Sequence, residues 1–360
     1  DFELIIWDDA STDNSWEIIK SYTDPRIKAF RNDQQMRSIY GINKAISEVA
    51  QGEYIAIHHS DDVWEPEKLE KQVEFLDNHV EIGAVFTWVF IIDENNVEVP
   101  LDWFNVPNQT RAGWLKQFFI GKNHLNHPSA MVRRSSYLNV GLYRFGLAQT
   151  GDAEMWSRLL IKYPVHVIQE KLTRHRLFTD QSNTSGRGVE KSIRTENEWN
   201  IIRLNYFSLT SEEEIFEIFP ALKRFYSPQG CVPRFLLAMA CLYECDSRAA
   251  WALGLQALYE LIILPGTAAQ LDDIYNFNYK SLIELAGQFD PYLENQAAEI
   301  ARLDAELQAK NQGLTNQAAE IARLDAELQA MRLGWSFRPR EIARPDAVGL
   351  RKVLRLIVTA

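Results

Sequence analysis

The sequence has few cysteines and no disulfide framework. Its three cysteines, Cys231, Cys241 and Cys245, lie in one apolar stretch with helical periodicity. This count excludes the class of small secreted domains held together by several disulfides, and it favours a reducing, cytoplasmic setting. A structural zinc site is disfavoured as well, because Cys241 and Cys245 have neither a fourth cysteine nor a histidine nearby. We therefore expect reduced thiols in a buried core.

Long hydrophobic runs and an excess of positive charge are also missing. No apolar run reaches the roughly 20 residues that a transmembrane helix needs, and the N-terminus has no secretory signal pattern. The chain has 38 Lys and Arg against 49 Asp and Glu, a net charge of -11. Such an acidic balance argues against nucleic-acid binding. Its 360 residues suffice for two or three domains.

The first half of the chain alternates short apolar runs with helical periodicities. Strands are predicted at 4–7, 27–30, 54–57 and 84–92, and helices around 16–22, 39–49 and 69–76. This alternation predicts an α/β fold with a mainly parallel sheet and helices on both faces. Ligands of such sheets bind beyond the carboxyl ends of the strands. Because the chain opens on an interior strand, we expect an upstream strand of the sheet to be missing.

The second half of the chain is helical throughout. Residues 190–292 predict an α-helical domain, and residues 295–331 contain a repeat in which the segment from Asn295 recurs from Asn316. The 21-residue offset is three heptads, with apolar residues at most a and d positions. This spacing predicts a coiled coil that joins protomers or binds a partner. The alternative is a solvated single helix supported by Glu–Arg neighbours.

The C-terminal tail differs in charge from the rest of the chain. Residues 332–360 contain six Arg and one Lys against Glu341 and Asp346, a balance of 7 − 2 = +5, with apolar residues interleaved. A basic amphipathic tail predicts peripheral contact with an anionic membrane surface. A tail packed on its own protein is the alternative.

Polar clusters follow two of the predicted strands. Asp8 and Asp9 come after the first strand, and His59, Asp61 and Asp62 come after the third. Paired carboxylates repel unless a cation or a donor lies between them, and hard oxygen ligands suit Mg²⁺ or Mn²⁺, which bind diphosphates. The plainer interpretation is that these residues cap the helices that follow.

Two further segments carry candidate chemistry. Asp152 lies in a loop that leads into a helix, and Glu154 is its nearest rival. A helix N-terminus lowers the pKa of a carboxylate, so we expect Asp152 to be ionised, as a general base must be; it could also be only a cap. The second segment, Arg174–Arg176, either forms surface salt bridges or faces phosphate oxygens.

Three segments in this order, at 2–15, 52–72 and 151–159, resemble glycosyltransferase family 2, whose members are inverting enzymes with the Rossmann-like GT-A fold. They look like the family's nucleotide-binding strand, its metal-binding DxD region and its catalytic-base segment. The resemblance covers residues 1–185. It departs from the family at His59, which replaces the first Asp of DxD, and at Gly151, which replaces the usual Glu before the base.

The resemblance implies a role for each matching residue. Donor-binding roles fall on Asp8, Asp9, Asp62 and Arg176, metal-binding roles on Asp61 and His59, the catalytic base on Asp152, and acceptor-side roles on His127, Glu154 and Trp156. The implied cofactor is a divalent metal, Mn²⁺ or Mg²⁺.

The implied function is inverting transfer of a sugar from a nucleotide-sugar donor to a glycan or lipid-linked acceptor, in bacterial cell-surface polysaccharide synthesis. The implied location is the cytoplasm or the inner face of the cell membrane. One alternative is a catalytically degenerate scaffold that organises a glycan-assembly complex through its coiled coil. A nucleotidyltransferase is disfavoured, because no basic glycine-rich phosphate loop follows a strand.

Overall fold

A computed structural model describes residues 1–178, 188–292 and 296–335, with side chains from 302 to 329 in the last range. The chain divides into two compact units, Asp1–Tyr292 and Leu293–Ala360. In the described residues the strands are β1 Leu4–Asp8, β2 Ile27–Arg31, β3 Tyr54–Ala56, β4 Val63–Trp64, β5 Ala84–Ile92, β6 Glu98–Val99, β7 Met131–Arg133 and β8 Val165–Arg176.

Helices cover much of the remaining chain. Within the described ranges they are α1 Ser15–Ser21, α2 Ser38–Lys44, α3 Lys68–Asn78, α4 Arg111–Phe119, α5 Arg134–Val140, α6 Gly151–Lys162, α7 Val189–Tyr206, α8 Glu212–Ile218, α9 Pro233–Tyr243, α10 Arg248–Ile263, α11 Pro265–Tyr275, α12 Tyr279–Ala286 and α13 Gln296–Trp335. A π-helical turn, Ala45–Val49, extends α2, and 3₁₀ turns occupy His127–Ser129 and Pro220–Phe225.

The α/β class of the first part and the helical character of the second are confirmed; the two longest strand pairings are parallel, and the sheet as a whole is mixed. Strands β1 and β2 pair in parallel as a two-stranded sheet. The other six form a mixed sheet in the order β3-β7-β5-β8-β4, with β6 on β5. Within it only β5 and β8 run parallel; the other pairs of described strands are antiparallel.

Connection length explains the mixture. Strands β5 and β6 are joined by a tight turn in which the Asp93 amide donates to the Val97 carbonyl, and a short turn of this kind can only connect antiparallel strands. The parallel pair β5–β8 has the long crossover through α4, α5 and α6 that parallel strands require. Alternating apolar runs in a sequence predict that strands exist, and they contain no information on strand direction.

The core of the first unit runs from the sheet into the C-terminal helices. Tyr206 of α7 is fully buried, and its hydroxyl donates to the Leu115 carbonyl of α4 at 2.6 Å. Arg203, 1% exposed, donates to the Phe119 carbonyl. Helices α7 to α12 therefore share a core with the sheet region. Independent folding of 190–292 stays a prediction.

The cysteines are free thiols, as expected. Cys241 and Cys245 are buried, and Cys231 is half-buried. Burial raises the pKa of Cys241 to about 12 and that of Cys231 to about 11, so both thiols are neutral at physiological pH. Neutral buried thiols pack as small apolar side chains.

The second unit contains one long helix. Helix α13 runs for 40 residues through the predicted repeat. Its assembly into a coiled coil stays a prediction. Residues 336–360 of the basic tail lie outside the described residues. No single helix in the described ranges is long and apolar enough to cross a membrane; α10 and α11 meet the length and composition test only together, and they are bent by 108°.

Candidate active site

The first predicted cluster lies at the end of β1. Asp8 is buried, and its Oδ2 pairs with Arg31 Nε at 3.0 Å. Asp9 ties this strand end to the loop after β2, because its carboxylate accepts hydrogen bonds from the Met36 and Arg37 amides and from the Asn32 side chain. Burial raises the pKa of Asp9, but these hydrogen bonds outweigh it, and the pKa is lowered overall. Both carboxylates are thus fixed at a strand end.

The second cluster gathers after β3. One ligand atom each from His59, Asp61 and Asp62 lies within 4.8 Å of the others. The Asp62 amide donates to the His59 carbonyl at 3.2 Å, which closes a tight turn and brings the side chains together. Three residues that the sequence analysis placed in one segment therefore face one point in space.

Asp62 is held from β8, the neighbour of β4. Its Oδ1 accepts a hydrogen bond from the Arg176 amide at 2.8 Å and lies 3.2 Å from His175 Nδ1. The Arg176 guanidinium donates to the Asp61 carbonyl at 2.7 Å and to the Asp93 carbonyl at 2.6 Å. Arg176, predicted to bind the donor, therefore clamps the backbone of the loop that presents Asp61 and Asp62.

His59 is oriented by a chain of hydrogen bonds. Its Nε2 lies 3.0 Å from His127 Nδ1, and His127 Nε2 lies 2.8 Å from the Tyr143 hydroxyl. The Tyr143 hydroxyl in turn forms a hydrogen bond of 3.0 Å with the Tyr137 hydroxyl. Burial lowers the pKa of His127 well below its usual value, with a further contribution from His59, so its ring is neutral. His127, predicted on the acceptor side, thus supports a metal-site residue.

The residues of this cluster fit a divalent cation. Asp62 Oδ2 is buried and has no hydrogen-bond partner among the described residues, which is costly for a carboxylate oxygen unless a cation satisfies it. Burial lowers the pKa of His59, although Asp62 and Asp61 oppose the shift, and the neutral imidazole is the form that coordinates metal. An imidazole beside two carboxylates suits Mn²⁺ better than Mg²⁺.

Asp152 lies in the first turn of α6. Its Oδ2 accepts a hydrogen bond from Asn123 at 2.9 Å. Burial raises the pKa of Asp152. Hydrogen bonds from the Ala153 amide and the Asn123 side chain lower it, as does the charge of His175. The effect of burial is larger, so the pKa is raised overall. The expectation of a lowered pKa is therefore wrong, because the loss of hydration outweighs the favourable helix N-terminus.

His175 connects the metal-type cluster with Asp152. It contacts Asp62 directly and is close enough to Asp152 to influence its pKa. The sequence analysis identified Arg174–Arg176 only as a basic cluster. In the structure Arg174 forms an ion pair with Glu65 at 2.6 Å, as the surface salt-bridge alternative predicts. His175 is the member of this cluster whose side chain contacts Asp62.

Glu154 and Trp156 are parts of the core. Glu154 is fully buried, and its carboxylate binds Arg158 at 2.7 Å, Arg144 at 3.0 Å and Asn205 at 3.2 Å. Trp156 is also fully buried and packs edge-on against Phe86. Its ring centroid lies 5.6 Å from that of His127. Both side chains are therefore structural in this fold, and Trp156 is connected to the metal-type cluster through His127.

The sequence analysis missed Glu198 of α7. This buried carboxylate accepts hydrogen bonds from three consecutive amides, Ala148, Gln149 and Thr150, at 2.7 to 2.8 Å. It thereby fixes the loop that enters α6. No local pattern could have revealed it, since 48 residues separate Glu198 from Thr150.

A carboxylate–imidazole cluster after a strand, with a half-buried carboxylate in the first turn of α6, agrees with the GT-A glycosyltransferase class. The sequence model of "Glycosyl transferase family 2" matches residues 1–141. The chain is 36% identical over 221 residues, 58% of its own length and 81% of the relative's, to WfaP of Escherichia coli, named as a UDP-Glc:alpha-D-GlcNAc-diphosphoundecaprenol beta-1,3-glucosyltransferase. The chain belongs to glycosyltransferase family 2.

Other relatives are matched over shorter fractions. The chain is 35% identical over 179 residues, 48% of its length, to the uncharacterized glycosyltransferase MJ1057 of Methanocaldococcus jannaschii, and it spans 59% of that protein. It is 33% identical to EpsE of Bacillus subtilis over 162 residues, which are 44% of this chain and 55% of EpsE. Among solved structures, S. aureus TarS in complex with UDP-GlcNAc is similar at 17% identity, with a TM-score of 0.49 and coverage of 71% of this chain and 72% of TarS.

Proposed function

We propose that the chain carries the donor and base sites of an inverting glycosyltransferase that uses a nucleotide sugar. The proposal is carried by the cluster of His59, Asp61 and Asp62, which fits a divalent cation at a strand end, with Asp152 in the first turn of α6 as the candidate base. A leaving diphosphate and an attacking hydroxyl need those two functions side by side. Family membership agrees with this assignment.

The donor occupies the strand ends in this proposal. Asp8 or Asp9 contacts the nucleoside, since both are fixed at the end of β1. His59, Asp61 and Asp62 hold a divalent cation, Mn²⁺ or Mg²⁺, whose charge stabilises the leaving diphosphate when it is bound. Arg176 fixes the loop that presents the two carboxylates.

Asp152 takes the proton of the acceptor hydroxyl. Asn123 holds one carboxylate oxygen, and burial makes the carboxylate a stronger base by raising its pKa. A hydroxyl activated on the face opposite the leaving group produces inversion at the anomeric carbon. An acceptor-side role for His127, Glu154 and Trp156 stays a prediction; His127 contacts His59, and Trp156 packs against His127.

Donor binding provides the test. We expect UDP-, GDP- or dTDP-sugars to raise the thermal midpoint of the full chain only with Mn²⁺ or Mg²⁺ present, because a ligand of the native state stabilises it. Asp62→Asn should abolish this metal-dependent shift and leave the ligand-free midpoint largely intact. Asp273→Asn, at an exposed position of α11, is the matched control. An unchanged shift in Asp62→Asn would refute the metal assignment.

The acceptor is proposed to be a glycan or a lipid-linked sugar in bacterial cell-surface polysaccharide synthesis. The named acceptor of WfaP, a diphosphoundecaprenol-linked sugar, supports this class. With such an acceptor we expect the protein in the cytoplasm, at the inner face of the cell membrane. Sedimentation with anionic and neutral liposomes, with and without residues 332–360, tests the predicted role of the basic tail.

A scaffold remains the second candidate, and His59 in place of the family's aspartate is the observation that favours it. In that case the coiled coil, through a second copy or a partner, would be the working part of the protein. Release of nucleoside diphosphate from a donor sugar by the full chain separates the two candidates, since a scaffold releases none.

A further inference from the structure

Helix α13 exposes an apolar stripe along its length. Six large apolar side chains of the described part of this helix are 46 to 63% exposed: Leu303, Leu307, Leu314, Ile321, Leu324 and Leu328. Their spacings of three, four or seven residues place all six on the a and d positions of one heptad frame. We call these six residues the apolar stripe. A stripe of this kind is the docking surface of a second helix.

The positions that flank the apolar stripe are acidic. Between 302 and 329 the frame has eight e and g positions; five are occupied by Asp or Glu and none by Lys or Arg. The acidic residues are Asp304, Glu306, Glu320, Asp325 and Glu327. In a coiled coil these flanking residues choose the partner, because they meet the flanks of the facing helix.

The two arginines between 302 and 329 do not relieve this charge. Arg302 and Arg323 lie at c positions, away from the apolar stripe, and pair with glutamates of their own helix, Arg323 with Glu320 at 2.6 Å and with Glu327 at 2.7 Å. The side chains of these pairs are 50 to 58% exposed, and exposed pairs along a helix contribute little. The glutamates therefore stay available to a facing helix.

The acidic flanks disfavour pairing of two copies of α13. In a parallel pair, g positions face the following e positions, so Glu320 would meet Asp325 of a second copy. In an antiparallel pair, g faces g and e faces e, so carboxylates again meet carboxylates. Both arrangements place like charges beside the apolar contact, and their repulsion disfavours self-association.

We propose that the apolar stripe binds a helix of a different protein, with apolar a and d residues and Lys or Arg at its e and g positions. Lys310 and Gln317 occupy d positions inside the stripe. A buried polar layer fixes register, so the partner carries an acidic residue opposite Lys310 and a polar one opposite Gln317. This inference concerns the second unit and is independent of the proposed transfer reaction.

Two synthetic helical peptides test the proposal against the full chain. Both have Ile at a, Leu at d, and Glu and Asn at the two polar d layers; the basic probe has Lys at e and g, and the acidic probe has Glu there. By fluorescence anisotropy we expect the basic probe to bind at least about tenfold more tightly, with affinity that falls as salt rises. Sedimentation of the full chain alone should show no concentration-dependent association through α13.

Matched variants separate docking from general attraction to an acidic protein. Leu314→Glu with Ile321→Glu should abolish binding of the basic probe, whereas Ala319→Glu with Ala326→Glu, on the opposite face, should preserve it. Glu306→Lys with Glu320→Lys and Glu327→Lys should transfer the preference to the acidic probe. The proposal would be overturned if both probes bound with equal affinity or if neither bound. It would also be overturned by a self-dimer of micromolar affinity that dissociates in the Leu314→Glu, Ile321→Glu double variant.

Discussion

The carboxylate of Glu198 accepts a hydrogen bond of 2.7 Å from the amide of Thr150, two residues before Asp152. Glu198 belongs to α7, in the helical region, whereas Asp152 begins α6 beside the sheet. The helical region therefore helps to set the position of the proposed base, and its contribution can be measured.

Glu198→Ala should lower transfer more than it lowers donor affinity. The substitution leaves three loop amides, of which that of Thr150 is buried, without their acceptor, so Asp152 loses its fixed position; misplacement of this order costs about 10- to 100-fold in rate. Unfolding in urea should show a loss of about 1–3 kcal/mol. Glu190→Ala, at an exposed position of the same helix, is the control. Equal transfer rates for both variants would contradict the positioning role.

Asp152→Asn should remove the base and preserve the shape of the site. General-base assistance is typically worth on the order of 10²–10⁴ in rate, so kcat should fall by about that factor. Donor affinity, measured by calorimetry with Mn²⁺ present, should change little, because the metal-type cluster lies on another loop. Transfer within a few-fold of the wild-type rate would move the base to another residue.

Asn123→Ala should shift the pH dependence of transfer. The Asn123 amide donates to the charged carboxylate of Asp152 and lowers its pKa; its removal raises a pKa that burial has already raised. The base must be deprotonated, so the acid limb of kcat/KM should move to higher pH. Asn197→Ala, at an exposed position, should leave the profile in place. A shift to lower pH would be inconsistent with Asp152 as the titrating group.

Glu154→Gln should destabilise the fold without removing the chemistry. The substitution removes the charge of the fully buried Glu154 beside Arg158, whose side chain is 11% exposed, and breaking a buried ion pair costs about 3–5 kcal/mol. The free energy of unfolding measures this loss, with Glu217→Gln at an exposed position of α8 as the control. At a temperature where the variant is folded, its rate per folded molecule should stay near that of the wild type.

Much of the fold could be predicted because its signals are local. The 84–92 strand prediction coincides with β5, and the helix at 39–49 appears as α2 with its π-helical extension. The antiparallel strands of the mixed sheet could not be predicted, because their direction depends on connections such as the tight turn between β5 and β6. The carboxylate clusters were found because each lies within one short segment.

The sequence by itself determined the α/β alternation, the candidate motifs and the repeat of α13 with its acidic flanks, since each depends on residues only a few positions apart. Only the tertiary structure decided three further points. Burial raises the pKa of Asp152, Glu154 forms a buried ion pair with Arg158, and Glu198 accepts hydrogen bonds from the loop before α6. Desolvation and long-range hydrogen bonds depend on which distant segments pack together. A single sequence does not contain that information in readable form.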